Sequence, residues 1–298
     1  MICFAKMEKQ YIIPDKKYSL GKDTEGKIHY TDELQKLLLD ILLEFDRVCR
    51  KNDLPYALAY GSALGCYNYG GFIPWDDDID IAINYEDLPR FVECFKKDLD
   101  ERFVFECYEN NNKYNVLIPT AKLKLKDIYF KEKNWFWLPT KCESGQRLFI
   151  DIVAFMGVPK EKKEHIKIIN KFRRKMVSYC FKDALLRINP LKQKAKIKEL
   201  EKYYAEKYQD SSTVSQTVII PFQDNNSFPR DVIYPFKEYD FCGHKIYSFN
   251  NIEEFCRIRY GEHSLKKWDG TKFIDPFPFK KRKTHHKQSY NLSPMTKK

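Results

Sequence analysis

Four aspartates, Asp76, Asp77, Asp78 and Asp80, lie downstream of a Gly61-Ser62 pair. The run Asp78-Ile-Asp-Ile-Ala-Ile83 alternates acidic or small residues with isoleucines, the period of a strand. Side chains two apart on a strand share a face. Asp78 and Asp80 are therefore expected to point one way, with Ile79, Ile81 and Ile83 packing the other. Carboxylates crowded together repel and tend to hold a proton. A divalent cation removes that conflict, and Mg²⁺ favours one or two carboxylates together with waters and substrate phosphates. A Gly-Ser turn facing such a site offers backbone N–H groups and a hydroxyl to a phosphate. The competing reading, a solvated acidic loop before a strand, leaves unexplained the Phe72-Ile-Pro-Trp75 segment that leads into the acids.

Two further stretches carry charge where a strand pattern places it. Arg147-Leu-Phe-Ile-Asp151-Ile-Val-Ala-Phe155 is apolar on both sides of Asp151, as in a buried central strand. A lone carboxylate there is costly unless it is paired, holds a metal or accepts local amide hydrogen bonds. Ala121-Lys-Leu-Lys-Leu-Lys126 alternates apolar and basic residues and reads as a half-exposed strand with its lysines on one face. Those lysines are either a basic wall beside phosphates or solvated residues that protect a sheet edge.

Regular elements must hold these groups in place. A helix from about residue 32 to 51 carries Leu34, Leu37, Leu38, Ile41, Leu42, Phe45 and Val48 on one face, with Thr31 as its N-cap. Asn52-Asp-Leu-Pro55 ends it, and Tyr56–Tyr60 makes a short strand into Gly61-Ser62. After the acidic strand, Asn84 introduces a second amphipathic helix through Leu88, Phe91, Val92, Phe95 and Leu99. Phe103–Tyr108 reads as a strand. From Lys160 to about Tyr208 lysine and arginine dominate, with Ile166, Ile169, Phe172 and Met176 at helical spacing and a break at Asn189-Pro190. This is expected to be a helical insertion whose basic face is solvated or meets an anionic lipid or glycan. Val218–Phe222 and Tyr239–Tyr247 suggest a strand and a hairpin, and Asn250 caps a last helix ending at Gly261.

The strings Gly61-Ser-Ala-Leu-Gly65 and Gly70-Gly-Phe-Ile-Pro-Trp-Asp-Asp-Asp-Ile-Asp-Ile81 closely resemble the signature of LicD-type proteins, a family of choline-phosphate and fukutin-type ribitol-phosphate transferases. The resemblance is dense over 60–83, moderate around Asp151 and thin elsewhere between about 32 and 268. It implies a nucleotidyltransferase-like α/β fold, in which a mixed sheet is flanked by helices. It further implies that Asp78, Asp80 and Asp151 converge from neighbouring strands on Mg²⁺ or Mn²⁺, with Asp76 in support. Gly61 and Ser62 would cradle phosphate, and Lys122, with Lys124 beside it, would contact the donor. The implied reaction moves a phospho-alcohol from a cytidine diphosphate donor to a sugar hydroxyl of a glycan or glycolipid such as lipopolysaccharide, capsule or teichoic acid. Gly157-Val-Pro159 and Arg259-Tyr-Gly-Glu-His263 match weaker family features. Two departures stand out: Asn68-Tyr-Gly70 occupies the place of a basic triplet, and Met156 that of an aspartate.

The bulk properties narrow the class without choosing the substrate. The 298 residues carry 53 Lys+Arg against 42 Asp+Glu, a net charge of +11. Such a field draws nucleic acid, anionic membrane or phosphorylated substrates. Nine cysteines without CxxC spacing suggest reduced thiols and a cytoplasmic setting, with contact at the inner membrane face as an option. Cys49 and Cys94 fall in apolar helical stripes. No stretch approaches the length of a membrane span. The expected layout is a lead-in at 1–30, a catalytic core at 31–159, the helical insertion at 160–210, a return to the catalytic domain at 211–275, and a disordered basic tail at 276–298. Two other functions stay open. One is nucleotidyl transfer to a small molecule. The other is nucleic-acid binding through the basic charge, although no recognition helix or RNA-binding motif is present and no specific nucleic-acid partner is expected.

Overall fold

A computed structural model describes residues 19–22, 28–74, 76–111, 114, 120–131, 147–180, 182, 191–216, 226–266 and 289–294. In chain order these form β1 (Ser19–Lys22), β2 (Ile28–Tyr30), α1 (Thr31–Lys51), β3 (Tyr56–Leu58), α2 (Tyr60–Tyr69), β4 (Asp80–Asn84), α3 (Leu88–Asp98), β5 (Phe103–Cys107), β6 (Ala121–Lys131) and β7 (Arg147–Gly157). There follow α4 (Lys162–Cys180), α5 (Leu191–Lys207), β8 (Thr213–Gln216), β9 (Ser227–Pro229), α6 (Arg230–Ile233), β10 (Lys237–Phe241), β11 (His244–Ser248), α7 (Ile252–Tyr260) and β12 (Ser289–Pro294). The class is the expected one, a mixed sheet flanked by helices. The expected strand at Val218–Phe222 lies outside the described residues. So does most of the basic tail, of which Ser289–Pro294 pairs with β6.

The sheet runs β10-β11-β3-β4-β7-β6, with β5 added beside β6 and β8 beside the end of β7. β4 and β7 are parallel, whereas β3–β4, β6–β7 and β5–β6 are antiparallel. The register puts Asp80 opposite Asp151, and Asp151 opposite Lys122. One face of this sheet is a dry core. Leu34, Leu38, Ile41, Leu42 and Phe45 of α1 are fully buried there with Ile79, Ile81, Ile83, Ile150 and Ile152. The Phe45 ring lies 5.3 Å from Tyr56, 5.1 Å from Phe95 and 6.0 Å from Phe91.

Three local expectations are revised. Thr31 is the first residue of α1 and not its cap; its hydroxyl instead donates to the Pro74 carbonyl at 3.2 Å. The cap of α7 is Asn251, whose side chain accepts from the Glu254 amide, while Asn250 donates to the Asp231 carbonyl. The acidic strand begins at Asp80, so Asp78 precedes it in extended chain. The tertiary contacts of these polar groups, invisible in local sequence, decide each case.

The basic helices α4 and α5 dock on the end of β7 through a second small core of Met156, Val158, Ile168, Phe172, Ile197, Tyr204 and Ala205. Its contact stripe on α4 is His165, Ile168 and Phe172, one step round from the expected one, so that Ile166 is exposed. Gly157 permits this approach: a Cβ there would collide with the carbonyl oxygen of Tyr208. Lys194 is buried, donating to the Tyr114 carbonyl, with its ammonium 4.5 Å from the Tyr108 ring and 5.0 Å from that of Tyr114.

Two outcomes follow. Phe45→Ala empties the centre of the aromatic cluster and is expected to cost about 3–5 kcal/mol in urea unfolding. His165 is 6% exposed, and its Nδ1 lies 2.8 Å from the Ser227 hydroxyl. Burial lowers its pKa below 6.5. The unfolded chain therefore takes up a proton near pH 6.5 while the folded one resists it, so this residue lowers stability only as the pH falls below that value. Melting curves at pH 7.5 and 5.5 should show a smaller drop in His165→Gln than in the wild type.

Candidate active site

The site is built where β3 turns into α2. Ala59 is extended and Tyr60 takes a positive φ of 44°, which swings the chain directly into the helix. The expected Gly-Ser turn is thus the first turn of α2. The Ala63 amide makes the first bond back, to the Ala59 carbonyl at 3.0 Å. The amides of Tyr60, Gly61 and Ser62 lie ahead of that bond, where a helix attracts anions. Gly61 is needed for close approach, because a Cβ there would come 2.9 Å from Oδ2 of Asp76. The Ser62 hydroxyl is buried and accepts the backbone N–H of Asp80 at 2.9 Å. It therefore fixes the start of the acidic strand against the helix.

The loop that bears the acids is held from α1. Gln35 Nε2 donates to the carbonyls of Ile73 at 3.0 Å and Asp76 at 2.9 Å, beside the Thr31 bond to Pro74. Phe72 and Ile73 anchor the loop in the core, with the Phe72 ring 5.1 Å from Phe241. The result is a cluster in which one carboxylate oxygen each from Asp76, Asp77 and Asp78 lie within 4.8 Å of one another. Asp77 is only 2% exposed. Asp80 and Asp151 are not part of this cluster; they are directly opposed residues of β4 and β7, and the Asp151 amide donates to the Ile79 carbonyl at 2.8 Å.

Directly opposed residues point to the same side of a sheet. The register therefore lays a charged row across four strands: Asp80 on β4, Asp151 on β7, Lys122 on β6 and Glu106 on β5. Lys122 Nζ lies 3.0 Å from Asp151 Oδ1 and 3.1 Å from the centre of the Phe149 ring. Lys124, on the same face, pairs with Glu106. The two lysines are 2% and 1% exposed, so neither is a solvated edge residue, and β6 is flanked by strands on both sides. Lys122 adjoins the acids, and Lys124 lies one step further along β6, committed to Glu106.

Residues outside the expected set also converge here. The Tyr60 hydroxyl donates to Gln216 Oε1 at 2.6 Å. The Arg259 guanidinium, at the end of α7, lies 5.5 Å from the Tyr60 ring and 5.2 Å from that of Tyr260. Burial pushes both phenols up; Arg259 opposes the shift and Asp80 adds to it. Asp77 was legible as part of the acidic run. Gln35 gave no local signal of a place at the site, whereas Arg259 lies in the Arg259-Tyr-Gly-Glu-His263 stretch that matches a weaker family feature.

An all-carboxylate set suits a hard divalent cation such as Mg²⁺ or Mn²⁺. The donor set of Asp76, Asp77 and Asp78, with Asp80 and Asp151 adjacent, fits such an ion.

The LicD/FKTN/FKRP nucleotidyltransferase-domain family matches residues 53–186, a segment that includes every one of these acids. Residues 53–186 are thus similar to a LicD-family domain. The chain is 29% identical over 146 residues to the lipopolysaccharide cholinephosphotransferase LicD of Haemophilus influenzae, an alignment covering 48% of this chain and 50% of that protein. It is 28% identical over 145 residues to an uncharacterized Rickettsia typhi protein, covering 38% of this chain and 47% of that one. The chain thus spans about half the length of the curated relatives it matches. Asn68, in the place of the basic triplet, donates to the carbonyl of Ser264, which lies outside the match, at 2.8 Å. That position ties α2 to the turn after α7.

A cation bound only by the folded state raises the melting temperature by mass action. Millimolar Mg²⁺ or Mn²⁺ should therefore stabilise the wild type in a thermal-shift titration, and the gain should vanish in Asp76→Asn/Asp78→Asn.

Proposed function

We propose that the protein is a divalent-metal-dependent transferase that moves a phospho-alcohol, such as phosphocholine, from a cytidine diphosphate donor to a sugar hydroxyl of a glycan or glycolipid. The observation that carries this reading is the packing of Asp76, Asp77 and Asp78 beside the opposed pair Asp80 and Asp151, at the N-terminal turn of α2. The likeness to a lipopolysaccharide cholinephosphotransferase supports the choice of head group and acceptor class. No described helix is long and apolar enough to cross a membrane, so we place any contact with a glycolipid-bearing membrane at its surface.

Asp76, Asp77 and Asp78, whose carboxylate oxygens lie together, would hold Mg²⁺ or Mn²⁺ with Asp80, and Asp151 would complete the set. A metal there supplies charge neutralisation for the diphosphate and for the leaving group. The amides of Gly61 and Ser62 orient a phosphate at the head of α2. Asp151 faces the acceptor hydroxyl and takes its proton as the oxygen attacks the phosphorus that bears the alcohol. The bond from that phosphorus to cytidine monophosphate breaks, and the monophosphate leaves. Lys122 balances the charge of Asp151 and holds it in register. Lys124, expected to contact the donor, is instead buried against Glu106. Positioning and electrostatics do most of the work in such displacements.

Incubation with a panel of cytidine diphosphate-alcohols, Mg²⁺ and a glycan acceptor should release cytidine monophosphate. Release of diphosphate from a nucleoside triphosphate would instead support nucleotidyl transfer. Asp80→Asn, nearly isosteric, should lower turnover by about a hundredfold or more while its melting curve stays close to wild type. A wild-type rate in this variant would remove Asp80 from the mechanism.

A further inference from the structure

The helical pair α4 and α5 has no part in the site described above. Among the described residues only two large hydrophobic side chains are exposed, and both lie on this pair: Ile166 on α4, 40% exposed, and Tyr203 on α5, 53% exposed. The same stretch is strongly basic. α4 carries seven lysines and arginines against one acid, Glu164.

The fold sorts these residues by face. His165, Ile168 and Phe172 are buried. The opposite face, at the three- and four-residue spacing of a helix, presents Lys163, Ile166, Lys167, Asn170 and Arg174, all exposed. Glu164 is turned toward α5, where the Tyr208 hydroxyl donates to it at 2.5 Å and the Lys207 ammonium lies 3.6 Å away. The outer face of α4 therefore sets Ile166 among cations, with no carboxylate of its own helix. Tyr203 stands on the α5 side. Its ring lies 5.1 Å from Tyr204, which in turn lies 6.1 Å from Phe172 and 5.8 Å from the Lys171 ammonium. The exposed charges of α5 are mixed in sign, with Lys202 3.9 Å from Glu206, so the basic field belongs to α4. The pair is also firmly attached to the core: Lys198 lies 3.1 Å from Glu109, just past β5, and 3.2 Å from the buried Glu201.

Such a surface complements an anionic bilayer. Lysines and arginines gain by nearing charged headgroups. An aliphatic side chain among them gains by entering the boundary with the acyl chains. A nucleic-acid backbone would satisfy the cations and offer the isoleucine nothing. We infer that the outer face of α4 is a docking surface for an anionic lipid bilayer, with Ile166 entering the interface. Gly157, where the pair is seated, is six positions from Asp151, about 20 Å along a strand. Docking would hold the carboxylates at a set distance from the lipid. The surface stands on charge and exposure alone; that it brings a glycolipid acceptor to the site rests on the transferase reading above.

The test is co-sedimentation of the full chain with vesicles of phosphatidylcholine alone, and of phosphatidylcholine with an equal amount of phosphatidylglycerol. We expect binding to the mixed vesicles only, weakening as salt is raised. Lys163→Gln/Lys167→Gln should weaken it by about thirtyfold, since each basic residue at an anionic surface contributes about fivefold. Ile166→Ser should weaken it by about fivefold. Both variants should melt close to the wild type, because the altered side chains are exposed. The inference fails if the wild type ignores the mixed vesicles, or if either variant binds them as the wild type does. Binding to single-stranded RNA without binding to the vesicles would overturn it in favour of a nucleic-acid surface. Cytidine monophosphate release with a soluble acceptor should be the same in both variants and the wild type. A wild type that binds the mixed vesicles but releases none would sink the transferase reading and leave this surface standing.

Discussion

Carboxylates that would rather be apart are held together here, and much of the surrounding structure serves to keep them so. Three consecutive aspartates have oxygens within 4.8 Å of one another, and two more stand opposed on adjacent strands. Repulsion at such distances would spread a free loop. The loop cannot spread because both of its ends and its middle are fixed. Phe72 and Ile73 are sunk in the core, Gln35 grips the carbonyls of Ile73 and Asp76, and Ser62 catches the Asp80 amide. Those bonds reach the backbone and leave the carboxylates to one another. Such crowding is the condition that a bound divalent cation would relieve.

Positive charge is rationed across the same face. The row Asp80, Asp151, Lys122, Glu106 alternates enough that each buried lysine faces a carboxylate. A buried ammonium without such a partner would be strongly unfavourable. Lys122 and Lys124 are therefore as much a condition of the fold as a feature of the site. Their pairing fixes the register of β5, β6 and β7, since a slip of one residue would drive both lysines into the apolar layer beneath. This double duty explains why a strand that reads as half-exposed is buried on both sides.

The sequence was most legible where one residue type dictates one environment. Alternating isoleucines after Asp78, the apolar run around Asp151 and the leucine stripe of α1 each specify a face, and each face is where its pattern put it. Polar residues with several possible partners were less legible. Thr31 looks like a cap and instead reaches a loop 43 positions away. Asn250 and Asn251 are equally good caps by type, and the choice falls to Asn251 because Asn250 is drawn to the Asp231 carbonyl. The lysines of β6 alternate as exposed residues do, and only the strands on either side show that they are covered. Arg259 lies nearly two hundred positions from Gly61, and no local pattern connects the two.

That last distance bears on how the fold makes its site. The segment matched by the LicD family supplies the acids and the head of α2, yet α2 is braced by later chain at almost every turn. Gln216 receives the Tyr60 hydroxyl, and Ser248 donates to the carbonyl of Leu58 at 3.0 Å. The Cys242 amide donates to the Gly70 carbonyl at 2.7 Å, and Asn68 holds Ser264. These contacts fall before, within and after the helix, so its orientation toward the acids depends on β8, on the β10–β11 hairpin and on α7. The chemistry is thus carried by one stretch of sequence and aimed by another. Substitutions in the later part of the chain can alter the site without touching a carboxylate, because they move the helix against which the carboxylates are set.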